Sequence, residues 1–162
     1  MKKIAKKYIL MPAIIIMFLF QTTVSYGTSQ SCATPEIIQY FDTVHSIQNQ
    51  LEFIIQSAYS STVQNKGVEE EIKTLRLLPS RISKLSQDVE SFANRKNLQV
   101  CQKEQINLIK VMVVFLQDLY EDVTSYLNTK NSIDQYTKLE NFIKTNSILN
   151  QIIVDYEALT KD

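Results

Sequence analysis

The stretch 101–127 carries three adjacent apolar rows at helical spacing, and a helix covered in this way must be packed on several sides. Ile109, Leu116 and Val123 form one row, Met112, Leu119 and Tyr126 a second, and Ile106, Val113, Tyr120 and Leu127 a third, around the unbroken apolar run 111–116. No strand reading survives that spacing, because a strand repeats every second residue. The rest of the chain therefore has to supply covering helices.

Three further segments have the pattern to do so. Before the first, Thr34 is placed to cap the helix, with Pro35 at its first position and Glu36 near the positive end of its dipole. Its rows are Ile37, Val44, Leu51 and Ala58; Tyr40, Ile47 and Ile54; and Phe41, Gln48 and Ile55, with Gln48 a polar intruder. Residues 59–66 read as a polar loop ending at Gly67. The second helix opens on Glu69, Glu70 and Glu71, and Val68, Leu75, Ile82 and Val89 then repeat every seven residues beside Leu78, Leu85 and Phe92. Pro79 falls inside this repeat, but the phase is the same on both sides, so the expectation is one kinked helix. After a turn at 94–97 the organising helix begins near Leu98. The fourth starts with a capping box, Ser132 with Gln135, and carries Leu139 and Ile153 in a row with Asn146, then Phe142, Leu149 and Tyr156, with Tyr136, Ile143, Ile152 and Leu159 completing the face.

Short connections make successive helices antiparallel neighbours, so the expected fold is all-α: an up-down-up-down four-helix bundle with its second helix kinked at Pro79. Residues 28–162 contain one Gly, two Pro and no Trp, a scarcity of punctuation that suits few long helices.

Residues 1–27 are set apart as a signal peptide, leaving 28–162 as a single domain. Lys2, Lys3, Lys6 and Lys7 form a basic front, an apolar stretch follows from Tyr8 to Phe20, and Ser25 and Gly27 are small residues at a cleavage site. The expected location is the periplasm or outside the cell. The alternative is an uncleaved membrane anchor, with the apolar stretch extended to Val24. Without the leader's four lysines, 13 Lys and Arg face 17 Asp and Glu, which argues against a nucleic-acid partner.

Cys32 and Cys101 are the only cysteines, and in an oxidising compartment a structural disulfide is the default. One precedes the first helix and the other opens the third. These two helices run parallel in the expected topology, so both cysteines lie at the same end. A redox-active or intermolecular pair is the competing reading, without a Cys-x-x-Cys spacing to support it.

Few residues could carry chemistry. His45 is the sole histidine, too few for a di-iron bundle, a zinc site or a Ser-His-Asp arrangement that does not use it. A haem held by His45 and Met112 is the sharpest cofactor alternative, since each lies a similar distance after a cysteine; Met112 reads more simply as packing. Asp118, Glu121 and Asp122 read as a solvated helix face, not a calcium loop. Gln48 and Asn146 read as a core hydrogen bond that sets register, or else as the floor of a small polar pocket.

Outside the apolar rows lie Val111, Val114, Phe53 and Leu77. They are either scattered surface residues or contact points for a partner. The expected function is therefore non-catalytic protein–protein binding, as inhibitor, adaptor, chaperone-like or secretion-accessory protein, with no cofactor or metal. The expected partner is another exported or envelope protein, or a second copy of the chain, and a membrane only if residues 1–27 are retained. The alternative function is a small-molecule or haem carrier.

Overall fold

The computed structural model describes residues 32–160, so the proposed leader lies outside the described residues. Five helical segments and no strand occur among these residues: α1 (Pro35–Val63), α2 (Glu69–Leu75), α3 (Leu78–Ala93), α4 (Val100–Asn128) and α5 (Ser132–Thr160). The fold is all-helical. Taken as one interrupted rod, α2 and α3 make it four helices.

Thr34 caps α1 as its sequence predicts, its hydroxyl accepting from the Ile37 amide at 3.3 Å. The helix then runs further than its polar end suggested. Thr62 donates its hydroxyl back to the Ala58 carbonyl at 2.9 Å, which satisfies the side chain inside the helix. Termination comes at Asn65, which adopts φ 53°, a left-handed value that asparagine tolerates. The amides of Lys66 and Asn65 then bond the carbonyls of Ser61 and Thr62, closing the helix in a Schellman arrangement. The expected loop at 59–66 thus shrinks to the residues after Val63.

At Pro79 the expected single kinked helix is two segments separated by Arg76 and Leu77. Proline has no amide to bond Leu75 and crowds that carbonyl, so the ladder breaks just before it. Arg76 and Leu77 nevertheless keep right-handed helical dihedrals, and the repeat stays in phase: Leu75, Ile82 and Val89 are buried, as are Leu78, Leu85 and Phe92. At α5 the capping residue is Asn131, not Ser132. Its carboxamide oxygen accepts from the Ile133 amide at 2.9 Å, and Ser132 is already helical.

The organising helix is α4, which packs against α1, α3 and α5. Ile109, Met112, Leu116, Leu119 and Val123 are completely buried along it. Each side chain of this size contributes roughly 1.5–3 kcal/mol by leaving water. From α1 they meet Ile37, Val44, Ile47, Leu51 and Ala58, also completely buried.

Polar cross-links fix how the rods lie beside one another. Between α1 and the α2–α3 rod, Glu36 pairs with Arg95 at 2.7 Å, Ser46 and Gln50 accept from Arg81 at 3.0 and 2.6 Å, and Ser57 and Ser61 donate to Glu71 at 2.5 and 3.3 Å. Ascending positions on one rod thus meet descending positions on the other. The same order joins α1 to α5, where Phe41 stacks on Tyr156 with centroids 4.2 Å apart and Gln48 reaches Asn150 and Asn146. Lys110 of α4 holds Glu90 of α3 at 2.6 Å. At one end Cys32 and Cys101 meet at disulfide distance, Cα atoms 6.2 Å apart, joining the starts of α1 and α4.

Candidate functional site

The polar residues that interrupt the rows of α1 and α5 meet. Gln48 is buried, and its Nε2 donates to Asn146 Oδ1 and to Asn150 Oδ1, both at 2.7 Å. Asn146 Nδ2 in turn donates to Glu52 Oε1 at 2.7 Å. Such a network is tolerated in a core-facing position because the buried Gln48 amide nitrogen, on losing water, gains two acceptors.

Beside this network α1 and α5 leave a surface groove of about 480 Å³. From α1 it is lined by Glu52, Ile55, Gln56 and Tyr59. From α5 come Leu139, Phe142, Ile143, Asn146, Ser147 and Asn150. Amides, one carboxylate, a hydroxyl and a phenol thus stand among apolar side chains, a mixture suited to recognition by shape and hydrogen bonding. Ile143, at 58% exposed, and Tyr59, at 51%, form its rims. Tyr136 continues the Ile143 row one heptad earlier and Val63 follows Tyr59 by one turn; both are exposed. The expectation that Tyr136, Ile143 and Leu159 complete the buried face of the last helix is therefore corrected. α5 buries Phe142, Leu149, Ile153 and Tyr156, and its neighbouring row stays in water.

Phe53, Leu77, Val111 and Val114 are all exposed, but they do not form one surface. Val111 and Val114 lie on α4, where Val114 lines a separate groove of about 230 Å³ with Glu90, Lys110 and Gln117. Phe53 lies on α1 and Leu77 at the break before α3. The flanking cross-links, Gln50 to Arg81 and Ser57 to Glu71, put these two at a similar level on adjacent rods.

His45 and Met112 are placed differently from each other. Met112 is completely buried in the core, whereas His45 is partly exposed on the α1–α5 flank, its ring edge-on to Phe41 and its Nε2 4.0 Å from Glu157 Oε1. Neither lines the grooves described here. Asp118, Glu121 and Asp122 line a groove against Lys138 and Lys144, where burial raises the Asp122 carboxyl above its usual range and Lys138 opposes that shift. Among the described residues no group of three or more His, Cys, Asp or Glu side chains could hold a metal ion. Nor is any described helix long and apolar enough to cross a membrane.

Tyr156 is buried with no hydrogen-bond partner for its hydroxyl, and burial, with Asp42 adding to it, pushes that hydroxyl up to about 12. It is a neutral core residue stacked on Phe41.

Sequence reasoning missed Glu52 and Asn150 as members of the polar network and Ile143 as a rim. One signal was available: α1 contains no Lys or Arg in 29 residues, so no cation of its own competes for the Glu52 carboxylate beside Gln48. Comparisons with protein-family models, with curated protein sequences and with solved structures returned no match.

Proposed function

We propose that the protein is an exported, non-catalytic binding module that recognises another protein through the α1–α5 groove. In this reading residues 1–27 direct export and are removed, and 28–162 form an up-down-up-down bundle. The opposed order of the cross-links between α1 and its neighbours supports that topology. The leader's basic-then-apolar pattern and a cysteine pair at disulfide distance support export.

One observation carries the binding reading. Tyr59, Val63, Tyr136 and Ile143 are exposed around a groove whose floor is already hydrogen-bonded within the chain. Apolar rims around a satisfied polar floor are surfaces for covering, since little of their chemistry needs a substrate.

The experiment is site-specific photo-crosslinking in the native host. A photoreactive residue replaces Gln56 or Ser147 in the groove, or Lys103 near the start of α4 as the comparison. A single protein captured from both groove positions and not from Lys103 is the expected result. Capture from Lys103 alone, or from none of the three, would overturn it.

A further inference from the structure

The chemistry of that partner is encoded in the two helices flanking the groove. On α5, Tyr136, Glu140, Ile143, Ser147, Asn150 and Val154 are all exposed and follow one another at alternating steps of four and three residues. This is the spacing of a coiled-coil seam, and it is a second seam, distinct from the row buried against α4. On α1 the steps repeat through Glu52, Gln56, Tyr59 and Val63. Two outer seams thus flank one groove, and two seams of this spacing describe the seat of a further helix.

Charge indicates which kind of helix. α1 has no Lys or Arg and carries Asp42 and Glu52, besides Glu36, which is paired with Arg95 on the side of the α2–α3 rod. α5 adds Asp134, Glu140, Asp155 and Glu157, against Lys138 and Lys144 only. Both lysines are engaged: Lys144 pairs with Glu140 at 2.7 Å, and Lys138 acts on Asp122 of α4. Glu52, in the groove itself, is held by the neutral amide of Asn146 and has no ion-pair partner within 4.0 Å among the described residues. Most basic residues lie elsewhere: Lys73, Arg76, Arg81, Lys84, Arg95 and Lys96 fall in or beside the α2–α3 rod, where they offset Glu69, Glu70, Glu71, Asp88 and Glu90, and Lys103 and Lys110 lie on α4. The unbalanced negative charge therefore lies on α1 and α5, and Glu52, the one charged residue lining the groove, has no cation there to neutralise it.

We infer that the groove seats a basic amphipathic helix of the partner protein as a fifth helix of the bundle. Its apolar face meets Tyr59, Val63, Tyr136 and Ile143, and its Lys or Arg side chains meet Glu52 and the flanking carboxylates. This rests on the groove being the binding surface, and it adds the class of segment bound there.

The test uses two fluorescent peptides of about five turns, Leu on one face and either Lys or Glu on the other, titrated into the purified full chain and followed by anisotropy. The Lys peptide should bind saturably and the Glu peptide should not. Ile143→Asp should weaken binding about tenfold or more, and Glu52→Gln a few-fold, as for an exposed charge. Ser147 is exposed, so Ser147→Lys puts a cation into the groove at little risk to the fold and should also weaken binding. Val111→Asp, on α4, should change nothing. Equal binding of both peptides, no saturable binding of the Lys peptide, or equal loss in Val111→Asp and Ile143→Asp would overturn the inference. If groove crosslinks instead capture a partner through an acidic or non-helical segment, the inference falls and the binding surface stands. If no groove crosslink forms, both fall.

Discussion

Gln48 and Asn146, separated by 98 residues, are joined at 2.7 Å across the α1–α5 boundary, and the same Gln48 amide also reaches Asn150. Removing the donor leaves two carboxamide oxygens short of a partner. Gln48→Leu should therefore cost about 1–3 kcal/mol in urea unfolding. Gln48→Leu with Asn146→Leu should lose less than the sum of the single changes, because both ends of the bond disappear together. Strictly additive losses would show that the two residues do not act as a pair.

The Cys32–Cys101 contact closes a loop with a sequence separation of 69. Oxidation there should contribute about 4 kcal/mol in the chain-entropy account. Protein purified from its own compartment should show no free thiol when denatured without reductant, and Cys32→Ser should lower the melting temperature. Two titratable thiols in the oxidised protein would contradict the bridge.

Acid should weaken the link between α1 and α2. The Ser57 hydroxyl bonded to Glu71, offset in part by burial and helped by Ser61, holds its carboxyl below the ordinary value of 4.5. A folded value below the unfolded one means that the stabilisation is fully present above pH 4.5 and is lost as pH falls through the lowered folded value. Glu36 beside Arg95 and Glu90 beside Lys110 are lowered as well and act in the same direction. Stability measured by denaturant from pH 6 down to 3 (an interval of about 3 units around the carboxylate range) should fall, and Glu71→Gln should flatten the slope. An unchanged slope in that variant would assign the acid response to other carboxylates.

Pro79→Ala should return the missing amide donor to the break at Arg76 and Leu77. Helical circular dichroism should rise and hydrogen exchange around 76–80 should slow, while the heptad phase is untouched. Because Ala also frees the unfolded chain, the net stability change should stay within about 1 kcal/mol. Exchange as fast as in the parent would mean that packing, not proline, breaks the helix.

Much of this architecture was legible because burial writes itself into helical periodicity. Thr34, the seven-residue repeats of α1 and α4, and the in-phase repeat across Pro79 all follow from local rules, and the structure places them as those rules require. The misreadings fall where a local rule competes with a distant contact. Polar residues from 59 to 66 suggested a loop, but Ser61 is spent on Glu71 and Thr62 on its own helix. The Ser132–Gln135 spacing fits a capping box, but the residue before it, Asn131, takes the capping bond of α5.

By itself the sequence determined the all-helical class, the apolar faces of α1 and α4, the polar interruptions at Gln48 and Asn146, and the placing of the two cysteines before α1 and at the start of α4. Only the tertiary structure decided which apolar rows go uncovered. Tyr136 and Ile143 are as large and apolar as the side chains α5 buries, yet the other helices are placed so that both stay exposed at the edge of the α1–α5 groove. Periodicity records how much of a helix is fit to be buried, and the placing of the other helices sets how much of it is.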